Sequence, residues 1–156
     1  DLRRQRQMCI RDSTYRAAVT HAIRHLPQGD FLELLERWLD DDDEAKRLWA
    51  KQGLAMNPDP RATDILIAHG PDVVSALYHM PEDRQEAFIP HLIEWLTHED
   101  SNTRARCESW LSTWTGQSFE KPWPGYDASR PTPEEAAVMQ AAWRTWWSEN
   151  GPIADG

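Results

Sequence analysis

Two cysteines in 156 residues, Cys9 and Cys107, are too few for a disulfide framework. A cysteine on the apolar face of a helix, as Cys107 is, reads as a small buried hydrophobe. No apolar run approaches the roughly 20 residues that span a bilayer, and no signal-peptide core is present. Positive charge is scarce: 17 Lys and Arg stand against 26 Asp and Glu, a formal charge of −9. An acidic surface repels phosphate backbones and anionic lipid, which argues against nucleic acid and membrane surfaces as partners. Catalytic signatures are missing as well. The sequence has no Gly-x-Ser-x-Gly elbow, no phosphate loop and no HExxH helix. The acidic run 40–44 lacks the alternating ligands and central glycine of an EF-hand and reads as a solvated turn. His21 and His25 are i, i+4 neighbours without an accompanying glutamate, and read as surface histidines. Glu33 and Glu36 lie opposite an apolar stripe, so no pocket raises a carboxyl pKa there. The expectation is a non-enzymatic, cytoplasmic protein with no catalytic, cofactor-binding or metal-ligating residues.

What is present is helical periodicity. Tyr15, Ala18, Val19, Ala22, Ile23 and Leu26 share one side of a helix over 15–26. Asp30 is placed to cap a helix over 31–39, whose apolar face is Phe31, Leu32, Leu35, Trp38 and Leu39. A third helix, 44–56, presents Leu48, Trp49 and Leu54. Short helices follow over 61–69 and 71–79, the second opened by Pro71 and carrying Val73, Val74, Leu77 and Tyr78 inward. The stretch 88–116 reads as two amphipathic helices around the polar turn 97–102. The first contains Pro90, which removes a helical hydrogen bond, and the second stops at Gly116. Residues 117–131 are rich in Gly and Pro and read as an ordered loop, held by Phe119, Trp123 and Tyr126. Thr132 and Glu135 form a capping box for a last helix running to Asn150, striped with Ala136, Met139, Trp143, Trp146 and Trp147. Residues 151–156 read as a tail.

Self-comparison gives the strongest signal. A shift of 57 places Phe31 on Phe88, Leu35 on Leu92, Trp38 on Trp95, Asp43 on Asp100, Arg47 on Arg104 and Leu54 on Leu111, without a gap. Residues 58–80 then read as one degenerate helix pair between two better copies. This pattern resembles bacterial HEAT-like repeats through Pro90, Leu92, Ile93, Leu96, Asp100, Arg104, Leu111 and Thr115-Gly116. The tail resembles a segment that follows such repeats in environmental bacterial proteins, through Phe119, Gly125-Tyr126-Asp127 and Trp143-Arg144-Thr145-Trp146-Trp147. Here residues 120–124 split Phe119 from Gly125, a departure from that pattern.

The resemblance implies an all-α fold, a short α-solenoid of antiparallel helix pairs over 14–116 ending in a capping helix over 132–150. It also implies an inter-repeat ladder of Asp43, Arg47, Asp100 and Arg104. Trp38, Trp95, Trp110 and Trp114 are expected in the core, and Trp143, Trp146 and Trp147 are expected to cap the last apolar face. The sharper alternative for these last three is a ligand platform. Residues 1–13 resemble translated adapter sequence at the ends of metagenomic reading frames, and are expected to be a non-native or disordered leader. The functional expectation is a protein-binding or scaffold module within a longer protein, its charge suited to a basic partner. Two rivals follow from the resemblance: a lyase-like accessory acting on a chromophore-bearing protein, and a nucleic-acid-binding repeat protein.

Overall fold

The computed structural model describes residues 28–119, 125, 127 and 129–152, and every element among them is helical. The expected leader 1–13, the helix expected over 15–26 with His21 and His25, residues 120–124, Tyr126 and the end of the tail, 153–156, lie outside the described residues. No described helix is long and apolar enough to cross a membrane. The chain divides into two compact units, Asp1–Leu54 and Ala55–Gly156.

The first unit holds α1 (Gln28–Trp38) and most of α2 (Glu44–Met56). Phe31, Leu32, Leu35 and Leu39 are buried, as their spacing predicts, and so are Trp49, Ala50 and Leu54. Burying each large side chain stabilises the fold by roughly 1.5–3 kcal/mol. Leu35 lies so close to α2 that a Cβ on Gly53 would sit 3.1 Å from its Cδ1. Leu48, expected inside, is 40% exposed. At 100° per residue it lies about 160° around the helix from Ala50, on the far side from the buried face.

The second unit contains α3 (Pro60–His69), a 3-10 helix η1 (Pro71–His79), α4 (Glu82–Trp95), α5 (Ser101–Thr115) and α6 (Pro133–Asn150). Asp59 caps α3 by accepting from Arg61 N at 3.0 Å, with Pro60 in the first turn. Residues 71–79, expected as a short helix, wind as a 3-10 helix. In a 3-10 helix, side chains three apart line up. Val74, Leu77 and Met80 form one buried row and Val73 and Ala76 another, whereas Tyr78 is 61% exposed. Helices α4 and α5 fold back on one another across residues 96–100, so that Phe88 meets Trp114 edge to face at 6.4 Å. Phe88, Leu92, Leu96, Cys107 and Leu111 fill the space between them. Gly116, at φ +69°, ends α5. Helix α6 opens with the expected capping box, Thr132 with Glu135. It runs against α4: Gln140 Nε2 donates to Ile93 O at 2.9 Å, and farther along Arg144 reaches Glu94.

The turns before α2 and α5 share their arginine bonds and the main-chain N–H bond two residues back. Arg47 Nη1 donates to Asp41 O and Asp42 O at 2.7 and 3.0 Å, and Arg104 Nη1 donates to His98 O and Glu99 O at 2.6 and 2.8 Å. Asp43 N donates to Asp41 Oδ1, and Asp100 N to His98 Nδ1. Each acceptor is 57 residues from its counterpart, the shift read in the sequence.

Candidate functional site

Polar side chains in the second unit are for the most part engaged in holding it together. Arg104 is 5% exposed, and besides its own turn it reaches Pro131 O through Nε and Nη2 at 3.1 and 2.7 Å. Asp100 accepts from Thr103 N at 2.8 Å and Thr103 Oγ1 at 2.9 Å, and these bonds hold its carboxyl below the usual carboxylate range. Asp43 accepts from Ala45 N. Thus the four residues expected as an Asp–Arg ladder are used differently. Within its own unit each arginine wraps main-chain carbonyls and each aspartate accepts from main-chain N–H groups at the start of a helix. Arg84, also buried, donates from Nε to Thr63 Oγ1 at 2.6 Å, and burial pulls its pKa down. Burial pushes the Cys107 thiol up to about 12, so it stays protonated and unreactive at neutral pH. No group of three or more metal-ligating side chains occurs among the described residues.

Among the described residues, this unit carries an open groove of about 240 Å³. Its first wall is the start of α4, where Glu82, Gln85, Glu86 and Ile89 share a face. Its second is the end of α5, with Trp114 and Thr115, and its third is the end of α6, with Trp146 and Trp147. The tryptophans expected together as a cap thus divide. Trp143 is fully buried, packed edge to face with Phe119 at 4.9 Å and with Trp146 at 5.7 Å. Its Nε1 has no hydrogen-bond partner among the described residues. Trp146 and Trp147 are half-buried, 6.3 Å apart with planes 33° apart. Trp38, Trp95, Trp110 and Trp114, expected in the core, are half-buried too. Indole is large enough that a tryptophan is often well covered without being fully buried, and these four each keep part of the ring exposed.

The groove is pre-shaped by its neighbours. Trp147 is packed against Gly151, where any Cβ would fall 2.7 Å from Trp147 O and 2.8 Å from its ring. Trp114 is held by Phe88 and by Trp110 at 5.5 Å, and Trp110 Nε1 is fixed by Val74 O at 2.8 Å. The electrostatics are negative. Glu82 and Glu86 are exposed acidic side chains, set against only roughly +0.5 of a charge from the amino end of α4. The lining residues include neither histidine nor cysteine. What they offer is carboxylates beside aromatic faces, an arrangement suited to binding.

Sequence reasoning assigned no role to Glu82, Gln85 and Glu86. The signal was the i, i+4 spacing of two acids on the face that also carries Ile89. No protein-family model, curated protein or solved structure matches the chain.

Proposed function

We propose that this chain is a non-enzymatic binding module, a short α-solenoid of HEAT-like helix pairs that receives part of another protein. The contact is the groove between α4, α5 and α6. The observation that carries this reading is that Trp146 and Trp147 are held in place by Gly151 and Trp143 yet remain half-buried in an open groove. Large, rigid aromatic side chains supply contact area at little entropic cost, which is why tryptophan is enriched where proteins bind one another. Repetition of the same turn at 41–47 and 98–104 supports the repeat architecture. The acidic wall supports a protein partner over a nucleic acid.

Selection of a random peptide display library against the chain tests the proposal. The expected result is enrichment of a sequence family whose binding drops at least about tenfold in W146A/W147A, a loss of more than ~1.4 kcal/mol. Equal selection by wild type and the double variant would remove the groove as the binding site.

A further inference from the structure

We infer that the groove takes the guanidinium of an arginine side chain presented by the partner, an inference that rests on the protein-binding reading above. Glu82 and Glu86 stand one turn apart on α4, and among the described residues neither is in an ion pair. Pro90 has no N–H, so the main-chain carbonyl of Glu86 lacks the donor that an unbroken helix would give it. Thr115 on the α5 wall and Gln85 on the α4 wall each direct a donor to a main-chain carbonyl. Gln85 Nε2 donates to Met80 O at 3.1 Å and Thr115 Oγ1 to Leu111 O at 2.7 Å. The α4 wall therefore presents acceptors and negative charge, and it calls for an occupant that is positive and rich in donors.

Across from it stand the rings of Trp146 and Trp147. A guanidinium satisfies both sides, because its flat faces stack on indole while its edges donate to carboxylates. An ammonium brings the charge without the plane. The same helix–helix seam already uses this chemistry once. Arg144 of α6 forks onto Glu94 of α4, with Nε to Oε1 at 3.1 Å, Nη2 to Oε1 at 3.0 Å and Nη2 to Oε2 at 2.8 Å. Toward the amino end of α4 the seam repeats the acid, at Glu86 and Glu82, but α6 there supplies Trp146 and Trp147 in place of a cation. The charge of −9 adds long-range attraction for a basic segment.

The test is a titration of the full chain, followed through its indole N–H signals by NMR. The probe is a blocked Gly/Ser nonapeptide carrying two arginines. The expected result is saturable shifts of the Trp146 and Trp147 signals. Binding should be roughly tenfold weaker for the matching citrulline peptide, which keeps the shape and loses the charge, and weaker also for the lysine peptide. The E82Q/E86Q variant, its fold checked by circular dichroism, should bind the arginine peptide roughly tenfold more weakly. Equal affinity for the citrulline peptide, or no loss in E82Q/E86Q, overturns the cation. Equal affinity for the lysine peptide overturns the guanidinium. Arginine-peptide binding undiminished in W146A/W147A overturns the site. A display-selected peptide that still requires Trp146 and Trp147 in any of the first three outcomes leaves the protein-binding reading standing while this inference falls.

Discussion

At the scale of the residue, Arg104 and Arg47 make a natural pair for measurement. Arg104 donates four hydrogen bonds to three carbonyls, and two of those bonds go to Pro131, 27 residues away. Arg47 is half-buried and makes only the local half of that set. Removing Arg104 strands buried acceptors, whereas water reaches those left by Arg47. R104A is therefore expected to cost ~2–4 kcal/mol and R47A ~1 kcal/mol in urea unfolding. R104K should not rescue, because one ammonium cannot face the turn and Pro131 together. Equal losses for the two alanine variants would show that the bond to Pro131 contributes nothing. The sequence marked both arginines through the 57-residue shift and could not reveal their partners. Main-chain carbonyls carry no side-chain signature, and the Asp–Arg ladder was what the resemblance implied.

At the scale of the element, α4 combines two tasks that conflict. Its inner face, Phe88, Ile89, Leu92 and Ile93, is buried as helical spacing predicts. Its outer face carries Pro90, exposed and interior to the helix. Proline there costs about 3 kcal/mol relative to a good helix former. P90A is expected to recover about 1–3 kcal/mol of this, raising the melting temperature by several degrees. If the Glu86 carbonyl contributes to binding, the same variant binds the arginine peptide more weakly, because the carbonyl regains a helical donor. A stabilised P90A with unchanged affinity would take that carbonyl out of the site. Elements were legible where one apolar face repeats at a single period. The 3-10 winding of η1 was not, since its buried rows three apart at 74, 77 and 80 also satisfy the helical pattern. Half-buried tryptophans were the other loss: periodicity shows which face an indole is on, but not how far it sinks.

At the scale of the whole molecule, acid stability follows from the caps. Asp41, Asp59 and Asp100 all have pKa values lowered in the folded chain. For Asp41 the main cause is the Asp43 backbone N–H, for Asp59 the Arg61 side chain, and for Asp100 the Thr103 backbone N–H. A lowered folded pKa contributes stability that is fully present above the ordinary value of 3.8 and is lost as pH falls through the folded value. Unfolding midpoints are thus expected to hold from neutrality to about pH 5 and to fall below about pH 4. D59N and D100N keep a capping side chain but remove the titration, so each should flatten that fall. An unaltered slope in both would place the acid sensitivity elsewhere. At this scale the all-helical class was legible, because helix signals recur along the chain. The groove was not. Its walls come from residues 82–89, 114–115 and 146–147, and nothing in a linear pattern says that these segments meet.

The matched turns at 41–47 and 98–104 also bear on how such a chain can grow. In each, the arginine satisfies carbonyls of its own turn, so a copied unit brings its polar closure with it. On the repeat reading proposed above, a duplicated unit brings its arginine together with the turn carbonyls it satisfies, and leaves chiefly an apolar face to cover. Lengthening by whole units is, on that reading, a small evolutionary step, and the part a new unit does not bring is the aromatic end.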